Sequence, residues 1–512
     1  MASARSIPSE TESTEQLVQQ NLATTNVSHD NTSDLEAGPI NEKHQSKDDV
    51  NQVNWENDDD SANPLNWSPV HKWKNLGIIS AMSLATPLAS TMFAPSVPQV
   101  MVEFHSSSAN LETFVISIFV LGFAFGPLLV APVSEIYGRR PVYLISITLF
   151  LVFTIACAVS NSLGMLIAFR FLCGCAGSPA ITLGGATIGD SLPKDKRGAA
   201  MAIWGMGPML GPILGPIIGG YLSAAKGWRW IFWLQAIISG VLTLLGSVFL
   251  KETYAVVILE KKAATLRKTT GNQELRSALH DGLSAKQRMT QAITRPLKML
   301  FLSPIVMILS LYVTFLFGMT YLFITTFPRV FTVQYGFSTG STGLTYLGLG
   351  IGIIFGMAIA GKGSDVLYKM MKDRHEGKEE PEYRLPPMVV SAPLVAVSFL
   401  WYGWSAQEKA HWIVPILGTV CFGLGMFPGF MSVNMYLVHT YGRYSASAIA
   451  ASKVLQSIGG AVLPLAGEPL YDRLGLGWGN SVIAFIALAF FPVPWLLFKY
   501  GATLRNMGRV KF

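Results

Sequence analysis

Twelve stretches of this 512-residue chain are apolar for close to the length that crosses a lipid bilayer. They fall at about 75–98, 113–133, 142–160, 163–188, 199–222, 231–250, 299–326, 343–361, 388–404, 412–437, 446–468 and 479–498. A hydrocarbon core of about 30 Å takes about 20 helical residues, and most of the runs reach that length. The run at 163–188 carries an arginine and that at 388–404 is short, so these two are the weaker signals. Hydrocarbon offers no hydrogen-bond partner to a backbone, so each run is expected to be a helix. The fold class that follows is an all-α membrane protein with twelve transmembrane helices.

Composition matters where it excludes alternatives. Charged residues are only 13% of the chain, against roughly 25% in soluble domains. The 48 glycines and 28 prolines sit in an apolar chain, which fits neither a disordered protein nor an ordinary soluble enzyme. Cys157, Cys173, Cys175 and Cys421 all lie within apolar runs, so no disulfide framework or zinc spacing is offered. The eight histidines form no metal pair, and neither metal nor cofactor is expected.

Charge is unevenly spread. Residues 1–72 hold 13 acidic and four basic residues, with few aromatics, and are expected to form a disordered acidic tail. They lack a short apolar core followed by a small-residue cleavage site, so no signal peptide is expected. With the N-terminus inside, the cytosolic loops and C-terminal tail carry 26 Lys and Arg, and the external loops carry five. That asymmetry predicts both termini in the cytosol and accounts for the net charge of +7 as membrane topology, so no nucleic-acid partner is expected.

The runs divide six and six around residues 251–298, which contain ten basic and four acidic residues. The expected organisation is a tail at 1–72, a six-helix half at 73–250, a cytosolic loop at 251–298, a second half at 299–498 and a cytosolic tail at 499–512. Leu266, Leu275 and Leu279 allow short amphipathic helices in the loop; a solvated linker reads equally well. Two six-helix halves are the parallel repeat of many secondary transporters.

Several motifs carry more than hydropathy. The second and third runs meet in GPLLVAPVSEIYGRRPVYL (126–144), where Glu135 lies near Gly138, Arg139 and Arg140. In the fifth run, GPMLGPILGPIIGGYL (207–222) repeats glycine every four residues at Gly207, Gly211, Gly215 and Gly219, between Pro208, Pro212 and Pro216. Such a stripe lets helix backbones approach closely, and each proline removes a backbone donor. The eighth run has a matching stripe, Gly348, Gly352 and Gly356, and the two are expected to meet across the interface between halves. Arg170 sits in the fourth run, about 12 Å from its start. A central intramembrane arginine costs about 2.5–3.5 kcal/mol, so it should face a polar interior, with Glu112 as one partner to consider. Lys453 and Glu468 are further embedded charges, too far apart on one helix to pair, and Asp190 ends the fourth run near Arg197. GMAIAGKG (356–363) resembles a phosphate-binding loop, but Gly363 replaces the Ser or Thr it requires and an apolar span precedes it, so no nucleotide site is read.

With these residues in hand, the chain resembles the major facilitator superfamily, and more narrowly the fungal drug:proton antiporters with twelve spans. The resemblance covers residues 63–500 and rests on NPLNWSPVHKW (63–73), SEIYGRRPVY (134–143), RFLCGCAG (170–177), GPILGPIIGG (211–220), GWRWIFW (227–233), KETYAVVILEKK (251–262) and PEYRLPP (381–387). Glu135 stands for the usual Asp of the loop motif, and Ala131 stands where a Gly is common.

The resemblance implies roles by position. Glu135, Gly138, Arg139 and Arg140 would form an inner charge network, and Arg170 would serve proton coupling. Gly211, Pro212, Gly215, Pro216, Gly219 and Gly220 would pack against the other half, while Gly361 and Asp365 would be the second half's remnant of the loop motif without its arginine pair. The first span has no carboxylate, so Glu112, Asp190 and Glu468 remain open as proton carriers. A cavity between the first, fourth, seventh and tenth spans would draw on Tyr321, Asn434 and Tyr436. The implied function is proton-coupled export of lipophilic toxic molecules, either fungicides or endogenous secondary metabolites such as polyketide toxins. A monomer in the plasma membrane is expected, with the vacuolar membrane as the other option. The alternative is an importer of a small polar solute; an enzyme would need converging acid, base or metal groups within the spans, and none is read.

Overall fold

The computed structural model describes residues 51–193, 196–279, 282, 284–376, 378 and 380–507. The first half is built from α1 (Pro69–Thr91), which passes through a 3-10 turn into α2 (Val97–Glu103), then α3 (Ala109–Tyr137) and α4 (Arg139–Ala158). It continues with α5 (Leu163–Thr182) and its extension α6 (Gly184–Ser191), α7 (Arg197–Lys226) and α8 (Arg229–Phe249). Two linker helices follow, α9 (Ala255–Thr270) and α10 (Ala285–Leu302). The second half comprises α11 (Pro304–Tyr335), α12 (Thr339–Leu344), α13 (Tyr346–Arg374), α14 (Pro386–Gln407), α15 (Ile413–Tyr441), α16 (Ser445–Val462), α17 (Gly467–Ala489) and α18 (Val493–Met507).

Among the described residues, eleven helical stretches are long and apolar enough to span a membrane. The last, Ser445–Gly501, has 57 residues and takes up two of the twelve apolar runs. As one rod it would extend about 85 Å. It is not one rod, because Gly475 (φ 72°, ψ 173°) breaks it inside α17. Both weaker runs are helical, 163–188 as α5 with α6 and 388–404 as the longer α14. Large side chains such as Leu244, Val248, Ile359 and Phe485 stay exposed, the pattern of a lipid-facing surface.

Short connections keep the helices together. Ser108 and Ser162 accept the Leu111 and Met165 amides at the starts of α3 and α5. In the linker, Ser284 and Gln287 form a reciprocal capping box at the start of α10. Of the acidic tail expected at 1–72, residues 1–50 lie outside the described residues, and in the remainder β1 (Gln52–Val53) pairs in parallel with β2 (Arg276–Ser277) of the linker. Lys262 reaches Glu56 at 3.1 Å and Asp60 at 3.5 Å. The amides of Ala62 and Glu56, with Lys262 beside them, hold the Asp60 carboxyl below its usual range. Thus 51–68 is ordered by contacts with a segment some 200 residues away, which composition does not register.

The two glycine stripes pack differently from the sequence expectation. Gly207, Gly211, Gly215 and Gly219 face α1 of the same half. A Cβ on Gly207 would lie 2.7 Å from the Leu84 amide nitrogen, one on Gly211 2.7 Å from that of Leu88, and one on Gly219 would enter the Met92 carbonyl. The stripe on α13 faces α15 instead, with Gly348 on Ile416, Gly352 on Val420 and Gly356 on Gly423. Each stripe therefore zips a helix pair inside its own half. A four-residue repeat keeps to one face of a helix, and that face is occupied by the nearer neighbour. The prolines are absorbed in a continuous α7: Pro208 cannot bond back to Trp204, and the Ser83 hydroxyl of α1 donates to that carbonyl at 3.5 Å. Gly220 alone of the motif glycines turns to the other half, against Thr339 and Gly340.

Replacing Gly211 by Val should overpack the α1–α7 contact and cost about 1–3 kcal/mol. Gly205→Ala, where nothing lies within 4 Å, should be neutral. Fluorescence-detected size-exclusion melting curves of the full chain test this, and equal melting of the two variants would contradict the zipper.

Candidate functional site

Consider first the end of the bundle that carries α9 and α10, the linker end. Helix α3 stops at Gly138 (φ 101°, ψ 165°), and α4 starts at the next residue with its first amides unpaired. The Glu252 carboxylate fills that gap, accepting the Arg139 amide at 2.8 Å and the Arg140 amide at 3.0 Å. It lies so close that a Cβ on Gly138 would run into it. The Arg139 side chain turns inward, its Nε donating to Asp190 at 3.2 Å, its Nη1 to the Ser134 hydroxyl, and its plane lying 4.5 Å from the Tyr254 ring. Arg140 donates to the Ser247 carbonyl at 3.1 Å. Arg197 donates to the carbonyls of Leu192 and Gly189, capping α6.

This network corrects the sequence reading at one residue. Glu135 is exposed and makes no ion pair among the described residues; the carboxylates that hold Arg139 are Asp190 and Glu252. Burial, with the Glu135 charge nearby, pushes the Tyr254 phenol up. Glu252 and Tyr254 stand in KETY (251–254), a visible sequence signal whose spatial partner was not.

The second half repeats the arrangement loosely. Arg384 donates to the Ser364 hydroxyl at 3.5 Å and lies 4.2 Å from the Tyr368 ring. The remnant motif beginning at Gly361 thus receives an arginine from 20 residues further on. Asp365 lies on α13, but its side chain is outside the described residues. The Tyr436 hydroxyl donates to Glu382 at 3.2 Å, which places it in this linker-end cluster and not in a cavity between halves.

At mid-bundle, Arg170 is 1% exposed. Among the described residues no carboxylate touches it. Its Nε donates to Val115 O at 2.9 Å, Nη1 to Ala89 O at 3.3 Å, and Nη2 to Ser90 O at 2.9 Å and Ile116 O at 3.4 Å. Phe93 and Phe119 flank the guanidinium at 5.1 and 5.0 Å. Ala89 and Ser90 belong to the last turn of α1, where carbonyls lack an onward helical partner. The arginine completes a helix end inside the bundle and pins α1, α3 and α5 together.

Ser90 also reaches the other half, its hydroxyl lying 3.1 Å from the Tyr321 hydroxyl of α11. Arg170 and Tyr321, separate candidates in the sequence, are joined through a residue the sequence did not single out. Gln99 donates to Thr339 at 3.3 Å across the same seam. Gly343 against Pro216, Gly350 against Ile213 and Gly460 against Val120 continue it. All of these contacts lie from the middle of their helices outward, on the side away from the linker. At that far end Arg329 binds Glu468 at 3.2 Å and Asp472 at 2.9 Å, with Glu112 within electrostatic reach. Glu112 therefore belongs with Arg329 and is not the partner of Arg170. Asn434 is half-buried on α15, its amide donating to Phe430 O at 2.8 Å.

Loss of the Glu252 carboxylate should free two amides at the start of α4 together with Arg139. Glu252→Ala is expected to cost about 1–3 kcal/mol, and Glu252→Gln, which keeps an acceptor oxygen, should cost less. Hydrogen–deuterium exchange at residues 139–142 reports it, and unchanged protection in Glu252→Ala would contradict the assignment.

Comparison with known proteins gives this geometry a family. Residues 79–464 match the Major Facilitator Superfamily. The chain is 50% identical to the MFS-type transporter tndD of Aspergillus flavipes over 89% of its own length and 85% of that protein. It is 46% identical to the efflux pump radE of Floropilus chiversii, covering 90% of this chain and 86% of that one. Identity to the MFS-type transporter penM of Penicillium rubens is 47%, over 92% and 94%. Among solved structures it is similar to the xylose transporter XylE from E. coli, with TM-score 0.61, 16% identity, and coverage of 84% of this chain and 98% of that one. A paired-half helical bundle with this loop network, this fourth-span arginine and these relatives leaves one assignment: the chain belongs to the Major Facilitator Superfamily.

Proposed function

We propose that this protein is a proton-coupled exporter of lipophilic small molecules, fungal secondary metabolites or xenobiotics, in the plasma membrane. The linker end faces the cytosol, which is where the loop count of 26 basic residues against five would place it. The relatives named efflux pump and MFS-type transporter support export as the direction of transport.

The observation that carries the mechanism is the chain Arg170–Ser90–Tyr321. It ties a buried cation in one half to a hydroxyl in the other, across the seam that closes the far end. With the linker end inside, the contacts in the far half of the helices are the outer gate of the transport path. Opening it requires Ser90 and Tyr321 to part and the Arg329 cluster to separate from Glu112. The inner end would then be held shut around Arg139, Asp190 and Glu252. A proton and a substrate drive the exchange only by binding these two states with different affinities.

The test is efflux from yeast lacking its own drug pumps, loaded with lipophilic dyes and toxins, with and without a protonophore. Wild type should export in a protonophore-sensitive manner, and Arg170→Ala at matched surface expression should lose export. Tyr321→Phe removes one hydrogen bond worth about 1 kcal/mol and should alter the rate several-fold while keeping expression. Export indifferent to the protonophore would refute proton coupling, and uptake in place of export would establish the importer alternative.

A further inference from the structure

Lys453 is the embedded charge that neither the linker-end network nor the Arg170 hub uses. It stands at the middle of α16, about 12 Å from that helix's linker end, too deep for its ammonium to reach the membrane surface along the helix. Among the described residues it has no ion pair and no hydrogen bond; its one partner is the Phe430 ring of α15, 4.8 Å from Nζ.

The helix geometry says where it points. Lys453 and Gly460 are seven residues apart on α16, two turns, so they share a face to within about 20°. The Gly460 face meets Phe317 of α11 and Val120 of α3, one from each half. Lys453 therefore projects into the seam between the halves, about 10 Å nearer the linker end than the point where Gly460 closes it. Asn434 lies on α15 one turn from Phe430. A cation and an aromatic face thus meet on the linker side of the Gly460 contact, with a carboxamide one turn further along α15.

We propose that Lys453 is the binding residue for the acidic group of the exported molecule, making the preferred substrate class lipophilic organic anions such as carboxylates and acidic enols. This inference rests on the exporter reading for its direction of transport, but not for the binding site itself. A cation this deep in the bundle that lacks a counter-ion among the described residues is satisfied by an anion that arrives with the ligand. Phe430 and the apolar seam receive the rest of the molecule, and Asn434 supplies a neutral hydrogen-bonding group. Lipid headgroups lie at the surface, two turns or more away, so the anion is that of a solute entering the seam.

The experiment is fluorescence titration of the purified full-length chain in lipid nanodiscs with pyrenebutyric acid and its neutral analogue pyrenebutanol, at neutral pH. Wild type should prefer the acid by about tenfold or more. Lys453→Met should bring the acid to the affinity of the alcohol and leave the alcohol unchanged, while Lys453→Arg should keep the preference. Equal binding of the two probes by wild type, no binding of the acid, an acid preference that survives in Lys453→Met, or equal loss of both probes in that variant would each overturn the site. The cellular efflux assay separates this result from the exporter reading. Acid preference without efflux upholds the site and refutes the exporter, whereas efflux without acid preference refutes the site alone.

Discussion

A peptide group inside hydrocarbon can send its hydrogen bonds only into the protein, and this requirement organises the whole bundle. It is routine along a helix and acute wherever a helix ends or loses a donor at proline. Helix α1 ends at Thr91, in the interior, with the Ala89 and Ser90 carbonyls facing the bundle. Arg170 answers with donors in a fixed fork, and takes two more carbonyls from α3. Its burial is costly as a charge, but the field it meets is the negative end of a helix lined by two aromatic faces. That explains how a cation is kept in the membrane with no carboxylate beside it among the described residues.

The same rule is applied with opposite sign at the linker end. There the exposed groups are amides at the start of α4, and the answering charge is the Glu252 carboxylate. Arg197 treats the end of α6 as Arg170 treats that of α1. Arg170, Glu252 and Arg197 are thus placed by helix ends, and the ion pair between Arg139 and Asp190 is built beside that placement. A network made this way can separate without leaving all its members unpaired, because the backbone contacts stay within one half.

The polar contacts named across the seam are chemically modest, a serine–tyrosine pair and a glutamine–threonine pair, and they sit beside glycine approaches along α7, α12, α13 and α16 and the packing of α3 on α16. The dense glycine zippers lie inside the halves, where they keep α1 on α7 and α13 on α15. Lys453 stands on the linker side of the Gly460 contact, which is the place a transported molecule would be met.

Hydropathy by itself determined the helical class, the spans, the six-and-six division and the loop charge asymmetry, because each is a local property summed along the chain. The motifs marked Arg139, Arg170 and the α7 glycines as special for the same reason: charge in an apolar run and a four-residue repeat are visible in one dimension. Only the tertiary structure decided who answers them. The α7 stripe meets α1 and not the other half, Glu135 yields its place to Glu252, Tyr436 turns to Glu382, and the acidic tail pairs β1 with the linker. Each of these choices joins residues from separate helices or loops, where the outcome depends on which faces the bundle brings within a few ångströms. A one-dimensional pattern fixes which face a side chain occupies on its helix, and it leaves open what stands opposite.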